Sequence, residues 1–219
     1  MTLATLKRCG RWDIVAHVFD VKSTTFEKMI VNFLSVLSPH VYDIYIDSVA
    51  HEWTMEKFVF SRNLFTNHPH AWYATDLTFQ QTDMPVSTQT ERAHIYSAKY
   101  KLHGFKVEIS ILPIELAINC TQHYPGRESD IGIFRKNLDF HEVNLHKSPA
   151  EEQLLDDGPL ESVHPSQWAV LTDNGYQGLA DVLRAIHPLK KPRGRSLTRA
   201  EEEANREISS DRIISCDLN

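Results

Sequence analysis

The chain has 219 residues, a formal net charge of −6 and an apolar content of 42%, which is enough for one domain or one domain with a small appendage. The acidic balance excludes a simple nucleic-acid-coating protein, whose surface would be basic overall. Three scattered cysteines indicate a reducing compartment rather than a disulfide framework. With neither a signal-peptide core nor an apolar run of membrane-spanning length, the sequence predicts an intracellular protein outside the membrane.

Helical periodicity begins at residue 12 and extends to residue 38. Residues 24–27, Thr-Thr-Phe-Glu, match a capping box that would start the second of two helices. An apolar stripe follows, formed by Phe26, Met29, Ile30, Phe33, Leu34 and Leu37. Such a helix pair is either a helix-turn-helix reader of DNA or a plain packing hairpin. We favour the hairpin because the second helix has few basic residues, among them Lys22 and Lys28.

Residues 41–67 predict one or two further helices that end at a proline turn. His68 and His70 flank that proline, but no third ligand stands at a recognisable zinc spacing. We therefore expect two exposed loop histidines. The sequence predicts a boundary here, between an N-terminal helical segment (residues 1–70) and a second domain (residues 71–219).

The pattern changes to strands at residue 72. Asp76 lies in the middle of an alternating strand, where a charge is costly unless a cation holds it. After a polar loop at residues 81–92, residues 96–112 predict a long half-buried strand, and residues 116–122 a third. In the long strand, apolar Phe105, Val107, Ile109 and Ile111 alternate with Lys106, Glu108 and Ser110. Short connections predict an antiparallel meander.

A helix is predicted from Asp130 to Leu138, followed by a loop or insertion at residues 144–165. The apolar strand at residues 169–171 then stops before Asp173, and a second helix is predicted over residues 179–186. A carboxylate at the end of such a strand lies where open α/β sheets bind ligands, although an aspartate also favours turns for its own hydrogen bonds.

Asp76 and Asp173 on neighbouring strands would repel each other unless they share a cation. A bridging divalent metal is a physical reason for both residues. Three antiparallel strands, a crossover helix and a parallel fourth strand form the order of a ribonuclease-H-like core. The predicted fold class is therefore α/β, with a mixed sheet and an N-terminal helical segment.

Four segments resemble those of a Harbinger-type DDE transposase and, more narrowly, its transposase-derived DDE endonuclease relatives. The segments, in the order of that family, are YATDLTFQQ (73–81), HYPGRESDIGIF (123–134), LTDNGYQG (171–178) and NREISSDRII (205–214). The resemblance implies a ribonuclease-H-like fold and metal-dependent cleavage and joining of DNA by three acidic residues. DNA is then the expected partner and the nucleus, or otherwise the cytoplasm, the expected compartment.

Carried over to this chain, the resemblance makes Asp76 the first acid and Asp173 the second. Both would hold Mg²⁺ or Mn²⁺, ions that suit an all-oxygen site. Asp130 matches an acid whose role is structural or accessory. Its negative charge would also stabilise the N-terminus of the predicted helix.

The third acid departs from the pattern of the family. Cys216 stands where the family has a glutamate, and Asp217 is the next candidate for the catalytic position. Glu207 and Asp211 could in principle substitute, although the surrounding glutamates are typical of a solvated helix face. Since the chain stops at Asn219, before that helix is complete, we expect a C-terminally truncated domain with impaired activity.

A basic segment without acids follows the second aspartate. Lys190, Lys191, Arg193 and Arg195, with Arg199 beyond them, would contact DNA phosphates or form a nuclear address. A solvated loop is the alternative, and we favour phosphate contact beside a DNA-cleaving site.

Three hypotheses for function follow. The chain is an inactive transposase-derived nuclease domain, an active metal-dependent nuclease that uses Asp217, or a non-catalytic protein. In the last case the N-terminal helices and the basic loop would bind DNA, a partner protein or a second copy of the chain.

Overall fold

A computed structural model describes residues 1–8 and 11–216. The chain divides into two compact units, Met1–Ser48 and Val49–Asn219. The first is helical, and the second contains the sheet.

The first unit is built around a helical hairpin. Its helices are α1 (Thr2–Arg8), α2 (Trp12–Val18) and α3 (Ser23–Tyr42), and a π-helical turn follows at Asp43–Asp47. Helix α2 packs on α3 through a small apolar cluster of Val15, Ala16, Phe26 and Ile30. The capping-box prediction is wrong: α3 begins at Ser23, Lys22 precedes it without a side-chain cap, and Thr24 already lies inside the helix.

The helical run from α3 continues through the π-turn into α4 (Ser48–Glu52). These 30 residues, Ser23–Glu52, are long and apolar enough to cross a membrane by length and composition. The expectation that no segment approaches such a length is therefore not upheld. Length and composition alone are weak grounds for a membrane span, since a signal sequence near the N-terminus satisfies them as well; this run is near the N-terminus and mostly exposed.

The second unit is built around a seven-stranded mixed sheet. Its strands are β1 (Ala71–Gln81), β2 (Tyr96–Ser97), β3 (Leu102–Ile111), β4 (Ala117–Cys120), β5 (Tyr124–Pro125), β6 (Ala169–Leu171) and β7 (Ala185–Ile186). Strand β3 runs antiparallel to β1, β2, β4 and β5, whereas β6 is parallel to both β1 and β7. The predicted α/β fold is confirmed, with the antiparallel meander and the parallel strand beside β1.

Helices cover this sheet and complete its core. They are α4 with α5 (Met55–Ser61), α6 (Gln89–Ile95), α7 (Asp130–Lys136), α8 (Leu138–Leu145) and α9 (Arg199–Cys216). Met55 and Phe58 of α5 belong to the main core, and the ring of Phe58 lies 5.3 Å from that of Trp72 on β1. Residues of the predicted N-terminal segment thus pack with the sheet.

Strand β3 buries the face that its sequence suggests is the outer one. Lys106, Glu108 and Ser110 are 4%, 0% and 0% exposed, whereas the apolar residues between them are only partly buried. Ser110 donates a hydrogen bond to Thr75 on β1, at 3.2 Å. Buried polar groups of this kind are tolerated only when they have partners, so the polar face of β3 carries a bonded network.

Glu108 is the centre of that network. The Nε2 atom of His141 on α8 lies 3.0 Å from its Oε1 atom, and Asn137 donates to the same oxygen at 2.8 Å. The Nδ1 atom of His141 lies 2.8 Å from the hydroxyl of Tyr73. Strands β1 and β3 are thereby joined to α8 through polar contacts inside the core.

Residues 179–186 form no helix, contrary to the prediction. A 3₁₀ turn at Asn174–Tyr176 is followed by irregular chain and then by β7. Arg184 is fully buried and donates to both carboxylate oxygens of Asp156. Lys147 also pairs with Asp156, at 2.7 Å, so these ion pairs tie the predicted insertion to the edge of the sheet.

Candidate active site

Two aspartates meet at one end of the parallel pair β1 and β6. In this pair Ala74 is the register partner of Leu171. Asp76 and Asp173 each lie two residues further on, and because side chains alternate along a strand, both stand at the same level. The structure therefore brings together the two acids that the sequence singled out.

Arg212 on α9 contacts both carboxylates. Its Nη2 atom donates to Oδ2 of Asp76 at 3.2 Å, and its Nη1 atom lies 3.5 Å from Oδ1 of Asp173. The side chain of Arg212 is only 7% exposed, against 21% for Asp76 and 34% for Asp173. The cation that two adjacent carboxylates require is here a guanidinium.

The pair also fits a divalent metal by its chemistry. Its donor atoms are all oxygens, which Mg²⁺ and Mn²⁺ prefer. The backbone N–H of Leu77 donates to Oδ1 of Asp76 at 2.8 Å and so orients this carboxylate. Next to Asp173, the side-chain oxygen of Asn174 is buried without a hydrogen-bond partner. Within the described part of the chain, no group of three or more His, Cys, Asp or Glu could hold a metal, so solvent or substrate would complete the coordination.

Asp130 lies beside the turn that follows Asp173. It is in the first turn of α7, as the sequence predicts, and Ser129 caps that helix. Its carboxylate pairs with Lys106 at 2.8 Å and with Lys99 at 3.2 Å. Burial opposes its ionisation, but these two lysines outweigh burial and hold the pKa of Asp130 below its usual value.

Gly175 allows this turn to approach Asp130 closely. A β-carbon added at Gly175 would lie 2.8 Å from Oδ2 of Asp130, closer than side chains tolerate. The chain after Asp173 is thus seated against the carboxylate of Asp130. The accessory role predicted for Asp130 in the reaction remains a prediction.

His68 and Asp211 anchor α9 to the chain before β1. The Nδ1 atom of His68 lies 2.9 Å from Oδ2 of Asp211, and the backbone N–H of Asn67 donates to the same oxygen at 3.0 Å. His68 and Asp211 are 7% and 5% exposed, so the prediction of an exposed His68 is wrong. Asp211 therefore anchors α9 at the residue directly before Arg212.

His70 is also buried, contrary to its predicted exposure. It is 8% exposed, and Gly158 packs so closely on its ring that a β-carbon there would clash. Burial, together with the positive charge of Arg184, lowers the pKa of His70 to about 4. The His-Pro-His turn is therefore part of the core.

The remaining acid candidates lie on or beyond α9. Glu207 is exposed, in keeping with the predicted solvated face. Cys216 is the last residue of α9. Asp217 lies outside the described residues, so its catalytic role stays a prediction.

The basic segment forms a loop between β7 and α9. Lys190, Lys191, Arg193 and Arg195 are all exposed. Arg195 makes a two-pronged ion pair with Glu201, with both bonds at 2.7 Å. Contact between this loop and phosphates stays a prediction.

A protein-family model described as DDE superfamily endonuclease matches residues 75–217, more than half of the chain. The matched region begins one residue before Asp76 and contains Asp130, Asp173 and Arg212. This chain belongs to the DDE superfamily endonucleases. The family accounts for the mixed sheet, and its members generally use divalent metals.

A relative of this endonuclease domain is the probable transposase for insertion sequence element IS702 of Microchaete diplosiphon. The two are 26% identical over 141 residues, which is 64% of this chain and 41% of the relative. The chain thus spans less than half the length of that transposase. No solved structure matches it.

Proposed function

We propose that this chain is a transposase-derived DDE endonuclease domain of the Harbinger type, in which Asp76 and Asp173 hold a divalent cation for cleavage and transfer of DNA phosphodiesters. The observation that carries this proposal is the meeting of both aspartates at one level of the β1–β6 pair. We further propose that strand cleavage is impaired, because Cys216 stands at the position of the third acid.

Each residue of the proposed site has a separate role. Asp76 and Asp173 would hold the cation, and the N–H of Leu77 keeps the Asp76 carboxylate turned toward the site. When bound, Mg²⁺ or Mn²⁺ activates the attacking hydroxyl and stabilises charge on the leaving oxygen. Arg212 neutralises the same two carboxylates, so it competes with a cation for them.

Cys216 is the residue of the proposed site that is least suited to bind a metal. A thiol is a poor ligand for a hard cation that prefers oxygen. A glutamate at this position would supply the oxygen ligand that the family pattern expects.

Strand cleavage tests this proposal. We expect no detectable nicking of supercoiled DNA with Mg²⁺ and at most a trace with Mn²⁺, which accepts less regular coordination. Cys216→Glu should raise nicking, and adding Asp173→Asn to it should remove the gain. Robust Mg²⁺-dependent nicking by the native chain that is lost in Asp217→Asn would contradict the impairment and make Asp217 the third acid.

A second candidate function is non-catalytic binding of DNA or a partner protein. The contacts of Arg212 with both aspartates favour it, because such a set of ion pairs can simply hold α9 against the sheet. In that case the exposed basic loop would carry DNA binding. If Cys216→Glu leaves the chain without nicking activity while DNA binding persists, this second function is the better account.

A further inference from the structure

A cationic cavity of about 270 Å³ adjoins the turn that follows Asp173. Gly175, two residues after Asp173, forms part of its wall. The charged residues of its lining are Lys99, Lys106, Arg127, Glu128 and Asp130. The cavity therefore opens directly beside the proposed cleavage site.

The acids of this cavity are already neutralised. Lys99 and Lys106 both pair with Asp130, and Lys136 pairs with Glu128 at 2.9 Å. Arg127 is exposed, and within the described part of the chain it makes no ion pair. Its positive charge is left over, and a cavity with such an excess suits a phosphate group.

A second, mainly apolar cavity of about 530 Å³ shares Arg127 with the first. Its apolar lining residues are Pro85, Ile95 and Phe105, and its polar ones, besides Arg127, are Ser87, Thr90, Glu91 and His94. Glu91 is held by its capping bonds to Thr88 at the start of α6, which keep its pKa below the usual value and its carboxylate charged. That charge disfavours a phosphate here, whereas the apolar wall suits the flat face of a base.

We propose that the two cavities together bind one unpaired nucleotide of the DNA strand beside the cleavage site, an inference that rests on the proposed function. Its phosphate lies in the cationic cavity, its base lies against Phe105, and Arg127 stands between the two. A base held in a helical stack cannot lay its flat face against Phe105, so DNA with an unpaired end binds better than blunt DNA.

Fluorescence anisotropy with the full chain tests this inference, in Ca²⁺ to prevent cleavage. The probes are a fluorescein-labelled blunt duplex and the same duplex with a short single-stranded 3′ overhang. We expect the overhang probe to bind about tenfold more tightly, since stacking one base on an aromatic ring gives a gain of this size. Phe105→Leu should reduce this preference by weakening the binding of the overhang probe more than that of the blunt duplex.

Arg127→Ala should weaken binding of the overhang probe and lower the salt dependence by about one counterion. Arg127→Lys should restore part of that binding. Arg206→Ala is the matched control: it makes the same change in net charge at an exposed site on α9, where Arg206 pairs with Glu203. Thermal denaturation of each variant confirms that it is folded.

Equal affinity for the two probes overturns the inference, and so does an Arg127→Ala variant that behaves like Arg206→Ala. If either result comes with nicking by Cys216→Glu that needs Asp173, the proposed function stands and only the nucleotide site falls. A chain that binds neither probe overturns both.

Discussion

Arg212 lies between two carboxylates that would otherwise repel each other. Arg212→Met keeps the apolar stem of this residue and removes its charge. We expect the free energy of unfolding without metal to fall by about 1–3 kcal/mol, at the lower end of that range because Asp173 is partly exposed. Chemical denaturation measures this fall.

Arg206→Met is the control for Arg212→Met. Arg206 pairs with Glu203 on the surface of α9, where both side chains are more than half exposed. Exposed ion pairs contribute little, so this change should leave stability unaltered. Equal stability of the two variants would show that Arg212 does not hold the aspartates together.

His70 makes stability depend on pH. Burial lowers its pKa from 6.5 to about 4, so the unfolded chain takes up the proton first as pH falls. The stabilisation is fully present above about pH 6.5 and is lost as pH falls toward about 4. We expect the native chain to lose about 2 kcal/mol more than His70→Asn between about pH 7 and 4.5, measured by urea denaturation. Parallel losses in both proteins would place the titration elsewhere.

The two aspartates could be predicted from sequence, whereas their surroundings could not. Asp76 interrupts an alternating strand and Asp173 ends an apolar one, and both signals are local. Arg212 and His68 gain their roles from distant partners: Asp211 is 143 residues from His68, and Asp76 is 136 residues from Arg212. No local pattern around the His-Pro-His turn reports such a partner, which is why its histidines were expected to be exposed.

The same contrast between local sequence signals and distant contacts holds for the secondary-structure elements. Alternation along β3 correctly predicted a strand, but the face that is buried is the polar one rather than the apolar one. Lys106 pairs with Asp130 on α7, and one carboxylate oxygen of Glu108 pairs with His141 on α8, residues that a strand pattern cannot reveal. The apolar run at residues 179–186 has helical composition, yet Arg184 is drawn into the core by Asp156 and the chain continues as β7.

The ion pairs of Asp156 fasten the segment between α8 and β6 to β7. Burial disfavours its charge, but Arg184 and Lys147 outweigh burial and hold the pKa of Asp156 well below its usual range. Asp156→Asn leaves two buried cations short of a partner and should cost about 3–5 kcal/mol. Urea denaturation measures this loss, and Asp181→Asn at an exposed position is the control.

A double change tests whether these ion pairs act as a unit. Arg184→Met alone removes the guanidinium that pairs with Asp156. Because the two residues contact each other, the cost of Asp156→Asn with Arg184→Met should be clearly less than the sum of the single costs. Additive costs would mean that the carboxylate and the guanidinium stabilise the fold independently.

At the scale of the whole molecule, the order of elements predicted the mixed sheet, and the family match agrees with it. The order of strands, β2-β3-β1-β6-β7, places Asp76 and Asp173 near the middle of the sheet. The length of the apolar helical run Ser23–Glu52 was underestimated from the sequence, because scattered polar residues interrupt it. Sequence periodicity thus indicated the elements, while the contacts between distant elements determined the site.

Metal-dependent thermal denaturation tests the central claim most directly. If Asp76 and Asp173 hold a divalent cation, increasing Mn²⁺ should raise the melting temperature of the native chain by mass action on the folded state. Asp76→Asn with Asp173→Asn should abolish that rise, whereas Asp181→Asn should keep it. A melting temperature that rises equally with Mn²⁺ in the double variant would place the cation elsewhere and contradict the assignment of this site.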